Sequence, residues 1–273
     1  MHLGHARTFW IAYQRALAAR GVLIFRNADL DEQRSRSDFA GAMIEDLRWL
    51  GIEWSEGPDI ARAGGGPFAP YQQSQRRERY ATAWQTLVER GYVYPCRCSR
   101  KDLARLAQAP HEDPGDDEPL YPGTCRPPMG VMARRGVTPD EQSSWRFRVP
   151  DGEVIEFVDS HLGPQRYVAG RDFGDFLVWR RDDVPSYQLA VVVDDAAMEI
   201  TEVVRGADLL KSTARQILLY RALGLTAPAW YHCSLVVDER GQRLAKRHDA
   251  LSLRAMREAG LSPEQVRARF QQD

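Results

Sequence analysis

Positive charge is not in excess in this sequence of 273 residues, because 37 Lys and Arg side chains are balanced by 38 Asp and Glu, for a net charge of −1. This excludes nucleic-acid binding through bulk positive charge, although not through a local basic surface. No uncharged apolar run approaches the ~18 residues of a membrane span, and the first twenty residues lack the apolar core of a signal peptide. Four cysteines are too few for a disulfide scaffold. These absences predict a cytoplasmic protein.

The composition predicts a folded chain with a hydrophobic core, since 43% of the residues are hydrophobic and 27% are charged. At about 100–200 residues per domain, the length fits one large domain or two modest ones. Short buried strands are predicted at Val22–Phe25 and Tyr187–Val193. Strands that alternate with helices indicate an α/β fold with a parallel sheet. Helices are predicted up to Gly21, from Ser37 to Leu50, from Ser74 to Arg90, from Ser212 or Thr213 to Leu223, and from Ser262 onward.

The middle of the chain differs from the rest in its cysteine content and its strand patterns. Residues 92–126 contain three of the four cysteines and a Pro- and acid-rich stretch, Ala109–Leu120, that we expect to be an exposed loop. Trp145–Val149 and Val154–Val158 alternate like half-exposed strands, with Asp151-Gly152 as the turn between them. The pattern predicts a small β-rich insertion in the α/β domain.

Two histidines stand at the predicted start of the first helix, in the sequence His2-Leu3-Gly4-His5. A helix start presents free N–H groups and the positive end of the helix dipole, which suit a phosphate. The two imidazoles can donate hydrogen bonds to a triphosphate whose charge grows as its α-phosphorus is attacked, and Gly4 lets the nucleotide approach the backbone. Two incidental histidines near a chain terminus are the alternative interpretation.

A basic loop, Gln242-Arg243-Leu244-Ala245-Lys246-Arg247, follows a glycine turn. A flexible lysine can follow pyrophosphate as it departs, whereas a lone charge run is more often a solvated loop. The pair of motifs favours the functional interpretation. A His-x-Gly-His near the start and a lysine loop some 240 residues later resemble the paired motifs of class I aminoacyl-tRNA synthetases, usually written HIGH and KMSKS.

Three further stretches are similar to the glutamyl branch of that family. They are Arg26–Asp31, Tyr187–Asp195, and Val204–Leu210 followed by Ser212 and Thr213. Within the branch, the chain most resembles truncated paralogues that lack an anticodon-binding domain, because it ends about 25 residues after the lysine loop. The resemblance extends from Met1 to about Gly260.

The cysteines agree with the same paralogues. Cys96, Cys98 and Cys125 lie within thirty residues, which in a cytosolic protein favours zinc over a disulfide. Cys96 and Cys98 are separated by one residue, so both can face one ion. The spacing Tyr121-x-x-x-Cys125 is similar to the paralogues' zinc pattern, which implies Tyr121 as the fourth ligand of one structural Zn²⁺ per chain. His111 is the alternative fourth ligand, and buried thiols without zinc are the alternative to a metal site.

The resemblance implies the reaction. Glutamate is activated with ATP and Mg²⁺ to glutamyl-adenylate without help from tRNA, and the glutamyl group then passes to the queuosine base at the wobble position of tRNA(Asp). A monomer is the default expectation. The implied ATP-binding residues are His2, Gly4, His5, Arg243 and Lys246, of which His2, His5 and Lys246 are catalytic.

The glutamate pocket is implied to contain Tyr187 and Arg205. The fork of N–H donors on Arg205 matches the two oxygens of a substrate carboxylate, whereas a surface ion pair is the alternative role for this arginine. The family has Glu where this chain has Ala28, and that Glu holds the substrate's α-ammonium. Asp29 or Asp31 is the candidate substitute.

The family's first strand, which precedes the His-x-Gly-His motif, is missing from the sequence. We therefore hypothesise that the true start lies upstream of Met1. Two rival functions stay open: a catalytic fragment of glutamyl-tRNA synthetase that charges a tRNA 3′ end, and a degenerate protein that binds tRNA or nucleotide without catalysis.

The implied architecture is a Rossmann-type doubly wound parallel sheet with a zinc-bearing insertion and a short C-terminal helical module. The expected parts are the first half of the Rossmann domain over 1–92, the insertion over 93–150, the second half over 151–225, and the lysine loop with the helical module over 226–273.

Overall fold

The computed structural model describes residues 1–30, 37–60, 66–99, 102, 120–128, 143–235 and 252–271. The chain divides into two compact units, each assembled from segments that are distant in the sequence. The first unit comprises Met1–Gln75, Val203–Ala207 and Tyr231–Asp273, and the second comprises Arg76–Glu202 and Asp208–Trp230.

Along the described parts of the chain, three helices precede a run of five strands, and the later elements mix helices with strands. The helices are α1 (Leu3–Ala18), α2 (Ser37–Trp49), α3 (Arg77–Glu89), α4 (Tyr187–Ala197), α5 (Leu210–Leu223), α6 (Leu253–Glu258) and α7 (Pro263–Ala268). The strands are β1 (Val93–Cys96), β2 (Ser144–Phe147), β3 (Val154–Asp159), β4 (Gly163–Val168), β5 (Phe176–Trp179), β6 (Glu202–Gly206) and β7 (Ala229–Cys233). Within the described ranges, every helix falls short of the length and hydropathy that a membrane span requires.

The strands form two sheets. In the first sheet, β2 lies between β1 and β5 and is antiparallel to both. In the second, with strand order β4-β3-β7-β6, β3 and β4 form an antiparallel hairpin, and Asp159 on β3 pairs in parallel with Trp230 on β7. The predicted α/β class is confirmed, with a mixed second sheet. The predicted strand Val22–Phe25 is reduced to one isolated parallel bridge between Ile24 and Glu56.

The first unit buries one hydrophobic cluster to which α1, α2, α6 and α7 contribute. Ala6 and Leu50 are fully buried in it. Helix α7 begins with the predicted capping box, in which the Ser262 hydroxyl accepts a hydrogen bond from the Gln265 N–H and the Gln265 side chain accepts one from the Ser262 N–H. The other buried members of the cluster are Leu3, Phe25, Leu47, Ile52, Trp54, Leu253, Met256, Val266 and Phe270.

Helix α3 of the second unit packs against the first sheet through aromatic rings. The Trp84 ring of α3 lies edge-on to Trp145 of β2, with ring centroids 4.9 Å apart, and its centroid is 5.9 Å from that of Trp179 on β5. All three rings are buried. Such aromatic pairs stabilise a core beyond the area they bury.

A charged cluster lies in the interior of the same unit. Arg76 and Asp194 are fully buried, and the Arg76 Nε donates a hydrogen bond to the Asp194 carboxylate at 2.6 Å. The Tyr80 hydroxyl donates to the other carboxylate oxygen at 2.8 Å. The cluster therefore ties α3 and the turn before it to α4.

The predicted strand at Tyr187–Val193 is wrong, because these residues begin helix α4. The Ser186 hydroxyl caps that helix by accepting a hydrogen bond from the Leu189 N–H at 3.3 Å. Every residue from Leu189 to Asp194 is buried. A helix that is buried on all sides shows no polar face, so its sequence lacks the period that distinguishes it from a buried strand.

The predicted hairpin between Trp145–Val149 and Val154–Val158 is also wrong. Both strands form, but β2 pairs within the first sheet and β3 pairs with β4. The turn at Asp151-Gly152 is present, with Gly152 at φ +84°, and it leads from one sheet to the other. Alternation of polar and apolar residues shows that a strand is half-buried but does not select its partner.

Two predicted helix caps need correction. Helix α5 begins at Leu210 without a side-chain cap, and Ser212 and Thr213 are buried within the helix. Ser74 does not cap α3, because a 3₁₀ turn, Gln73–Arg76, precedes that helix. Ser74 bonds to an aspartate instead, as described below for the candidate site.

We predict that Asp194→Asn lowers the free energy of unfolding by about 3–5 kcal/mol, because it removes the negative charge that is hydrogen-bonded to the buried Arg76 guanidinium. Urea unfolding followed by tryptophan fluorescence measures the change. The matched control is Asp182→Asn, which removes a carboxylate paired with Arg180 on the surface and should cost about 0–1 kcal/mol. Equal losses in the two variants would contradict the structural role of the buried cluster.

Candidate active site and metal centre

The two histidines of the first motif lie at the start of helix α1. His2 is the N-cap residue, and its Nδ1 accepts a hydrogen bond from the Gly4 N–H at 3.3 Å. His5 lies in the first turn and is exposed. The two imidazole centroids are 6.5 Å apart. The structure therefore brings both predicted imidazoles together at the positive end of a helix of 16 residues.

Arg205 is placed on strand β6 of the first unit and is only 8% exposed. Its Nε donates a hydrogen bond at 3.1 Å to Nε2 of His232, which is fully buried on β7. Because a guanidinium only donates, His232 accepts through Nε2, and the proton of the neutral ring is on Nδ1. The sequence does not point to His232. The one hint in the sequence is that His232 is the single imidazole in the strand Ala229–Cys233, whose other residues are aromatic or apolar.

Tyr187 is the first residue of α4 in the second unit and is 45% exposed. The next residue, Gln188, donates from Nε2 to the Ser212 hydroxyl at 3.0 Å and accepts from Gln216 Nε2 at 2.8 Å. These bonds link α4 to α5 and fix the helix end that presents Tyr187. Tyr187 belongs to the second unit, whereas Arg205 belongs to the first.

Ala28, which stands where the family has Glu, is next to a carboxylate that is already hydrogen-bonded. Asp29 follows Ala28 and accepts hydrogen bonds from the Ser74 N–H at 3.0 Å and from the Ser74 hydroxyl at 2.8 Å. Asp29 therefore stabilises the turn before α3 through its bonds to Ser74. Four other predicted or alternative residues lie outside the described ranges, namely Asp31, His111, Arg243 and Lys246.

The three predicted thiol ligands lie together in the second unit. Cys96 is the last residue of β1, and Cys98 lies two residues further along the chain. Cys125 lies in a segment that we call the ligand loop (residues 120–128). Their three Sγ atoms are all within 4.8 Å of one another. The Tyr121 Oη is 3.3 Å from Cys96 Sγ and 3.7 Å from Cys98 Sγ, and it accepts a hydrogen bond from the Cys125 N–H at 2.8 Å. The structure thus brings all four predicted ligands together.

Three of the distances among the four ligand atoms fit one tetrahedral ion. Ligand atoms at about 2.0–2.3 Å from a tetrahedral centre lie about 3.3–3.8 Å from one another. The Sγ atoms of Cys98 and Cys125 are 3.6 Å apart, and the two sulfur–oxygen distances to Tyr121 are of the same size. All three thiols are free rather than disulfide-bonded. The cluster can therefore hold a metal ion through three sulfur atoms and one oxygen atom.

The ligands differ in how readily they lose their protons before a metal binds. Burial raises the pKa of the Cys98 thiol to about 11. Burial also acts to raise the pKa of Cys125, but hydrogen bonds from the Arg97 backbone N–H and from Tyr121 outweigh it and lower that pKa to about 7. Burial, together with the hydrogen bond to Cys96, raises the pKa of the Tyr121 phenol. A bound cation has to displace the protons that remain.

A buried carboxylate to which the sequence does not point connects the two ligand-bearing segments. Asp175 is 4% exposed. It accepts hydrogen bonds from the hydroxyl of Tyr94 on β1 and, at 2.9 Å, from the Val149 N–H. Arg126 of the ligand loop pairs with it at 3.2 Å. Burial raises the pKa of Asp175. Asp175 therefore joins β1, the ligand loop and the segment that follows β2.

The chain is similar to known proteins over nearly all of its length. A sequence profile described as "tRNA synthetases class I (E and Q), catalytic domain" matches residues 1–271. The chain is 50% identical over 266 residues to the glutamyl-Q tRNA(Asp) synthetase of Symbiobacterium thermophilum, a match that covers 97% of this chain and 80% of the relative. It is 48% identical over 261 residues to the protein of the same name from Nitratidesulfovibrio vulgaris, covering 96% of this chain and 78% of the relative.

Solved structures agree with the sequence comparison. The crystal structure of the glutamate-tRNA synthetase from Elizabethkingia anophelis superposes with a TM-score of 0.73 at 29% sequence identity. The match covers 90% of this chain and 50% of that protein. The chain therefore spans about half the length of that synthetase.

We predict that the affinity of the cysteine cluster for Zn²⁺ rises at least about tenfold per pH unit between pH 6 and pH 8. Cys98 keeps its proton throughout this range in the metal-free protein and releases it on binding, and Cys125 adds a second proton below its pKa of about 7. Competition with a chromophoric chelator measures the affinity at each pH.

The matched control is Cys233→Ser, which removes the buried thiol outside the cluster and should leave both the affinity and its pH dependence unchanged. A zinc affinity that is independent of pH would show that the thiols are not the ligands.

Proposed function

Because the chain belongs to the family of class I tRNA synthetases of the E and Q type, we propose that it activates glutamate with ATP and transfers the glutamyl group to the queuosine base of tRNA(Asp). The observation that supports this acceptor most strongly is the 50% identity to a glutamyl-Q tRNA(Asp) synthetase over 97% of the chain. The glutamate carboxylate attacks the α-phosphorus of ATP and pyrophosphate leaves. A nucleophile of the base then takes the glutamyl group and AMP is released.

The start of helix α1 is the proposed site for the ATP phosphates. His2, Gly4 and His5 lie where the helix presents N–H groups and its positive dipole end. The imidazoles stabilise the negative charge that grows on the phosphates as the α-phosphorus is attacked. On the strength of the sequence resemblance, Arg243 and Lys246 of the basic loop complete this site, and Lys246 follows the departing pyrophosphate.

Arg205 is the proposed partner of the glutamate side-chain carboxylate. Its bond to His232 uses Nε and therefore fixes the plane of the guanidinium, and its burial removes competing water. A planar fork held in this way suits bidentate binding of a carboxylate. We include Tyr187 among the glutamate-binding residues on the resemblance alone.

We propose Zn²⁺ as the ion of the cysteine cluster, because a set of thiolates in a tetrahedral arrangement favours it. Four protein ligands close such a site to substrate, so the ion stabilises the fold of the module around β1 and the ligand loop. Mg²⁺ accompanies ATP and is held mainly by its phosphates. We further propose that the protein acts in the cytoplasm as a monomer.

The second candidate function is the charging of a tRNA 3′ end with glutamate. The superposition on a glutamate-tRNA synthetase favours this possibility. Ala28, in place of the family's Glu, is the observation that favours a third candidate, a protein that binds ATP or tRNA without activating glutamate.

We predict that the protein catalyses glutamate-dependent exchange between ATP and labelled pyrophosphate in the absence of tRNA. Labelled glutamate should then enter tRNA(Asp) from cells that make queuosine, and tRNA(Asp) from queuosine-deficient cells serves as the matched control that stays unlabelled. Labelling of tRNA(Glu) instead would support the second candidate. Binding of ATP without exchange would support the third.

We predict that Arg205→Lys raises the KM for glutamate by about tenfold or more and leaves the KM for ATP unchanged. A lysine keeps the charge but loses the planar fork, and one charged hydrogen bond contributes about 1.5–3 kcal/mol. The exchange assay measures both constants. Arg221→Lys, on the exposed surface of α5, is the control. Equal changes in the two KM values would argue against a role in glutamate binding.

A further inference from the structure

The proposed zinc site has more negative charge than the ion neutralises. Three thiolates and a phenolate, from Cys96, Cys98, Cys125 and Tyr121, outnumber the double positive charge of Zn²⁺. Cys96 and Tyr121 are buried, so water does little to screen the excess. A net charge in a buried site costs free energy unless a countercharge lies nearby. The loaded site therefore needs a cation next to its ligands.

Arg146 lies where such a cation is needed. Its guanidinium carbon is 4.1 Å from the centroid of the Tyr121 ring. A cation is attracted to an aromatic face at distances up to about 6 Å. Arg146 is 3% exposed and belongs to β2, where it pairs with Tyr94 on one side and Leu177 on the other. Its Nη1 donates to the Asp175 backbone oxygen at 2.8 Å. This hydrogen bond and the place of Arg146 on β2 put the guanidinium over the ring.

The arginines nearest to the ligands in sequence are arranged differently. Arg126, next to Cys125, directs its guanidinium to the carboxylates of Asp151 and Asp175. Arg97, between Cys96 and Cys98, is exposed. Arg146 is distant from every ligand in sequence, and the pairing of β2 with β1 brings it to the site.

We infer that Arg146 is a positioning residue of the metal centre, which holds the Tyr121 ring in place as a ligand and offsets the negative charge that the metal-bound Tyr121 phenolate adds to the site. The inference rests on the proposed zinc site. Negative charge on the ring strengthens its attraction to a cation over its face. The contact is therefore stronger with a metal-bound phenolate than with the neutral phenol, which links Arg146 to metal affinity.

The test measures Zn²⁺ affinity by chelator competition in the full chain. Arg146→Gln should weaken binding by about 10- to 100-fold, as changes to residues that support metal ligands generally do. Arg146→Lys keeps the charge and should restore part of the affinity. The matched control is Arg215→Gln, because Arg215 is equally buried and lies 5.8 Å from the ring centroid of Phe173, which is not a ligand. This control should retain the wild-type affinity.

A double-mutant comparison separates positioning from general destabilisation. In the background of Tyr121→Phe, we expect Arg146→Gln to weaken binding by no more than about threefold, because the phenolate through which it acts is gone. The visible spectrum of the Co²⁺-loaded protein provides a second measure. We expect Arg146→Gln to shift that spectrum towards the spectrum of Tyr121→Phe.

The outcomes separate a failure of the zinc site from a failure of the proposed role of Arg146. Wild-type protein that binds no Zn²⁺ would refute the zinc site and this inference with it. Wild-type binding that Arg146→Gln leaves unchanged, or weakens equally with and without Tyr121, would refute the role of Arg146 alone. If Arg146→Gln does not fold, the Arg146→Lys variant tests the role of Arg146 instead. An unshifted Co²⁺ spectrum together with wild-type affinity in Arg146→Lys would then show that the guanidinium over the Tyr121 ring does not position the ligand.

Discussion

The need to pair buried charge is the constraint on which both units depend. A charged group that leaves water costs free energy unless a partner replaces its hydration. Arg76 and Asp194 meet this need in the second unit, and Arg205 is held by His232 in the first. Each pair joins segments that are distant in the sequence, so the charges find their partners only when the native arrangement has formed. The same bonds fix the directions in which the guanidinium groups point.

The cysteine cluster extends this constraint to a set of anionic ligands. Asp175 connects β1 to the ligand loop through Tyr94 and Arg126, and Arg146 lies over the ring of Tyr121. The cluster is thus surrounded by charged and hydrogen-bonding groups that are not among its predicted metal ligands. Such surrounding groups set ligand orientation and metal affinity as much as the ligands do.

Much of the local structure could be predicted from the sequence, because amphipathic helices and caps such as Ser262 are encoded within a few residues. The α/β class is confirmed, although of the two buried strands from which it was predicted one is a single bridge and the other is helix α4. The cysteine cluster followed from spacing and resemblance. Tyr187–Val193 was mispredicted as a strand because a fully buried segment has no amphipathic period. The partners of β2, and buried polar residues such as His232 and Asp175, could not be predicted, because they are defined by contacts with distant segments.

The proposed reaction differs from ordinary tRNA charging only in the acceptor, since both begin with glutamyl-adenylate. The most direct measurement is therefore the position of glutamate on the tRNA. Queuosine-containing tRNA(Asp) is incubated with the protein, ATP and glutamate, digested to nucleosides, and analysed by mass spectrometry. We predict that the mass of one glutamyl group is added to the queuosine nucleoside. Glutamate found on the 3′-terminal adenosine instead would contradict the proposed function.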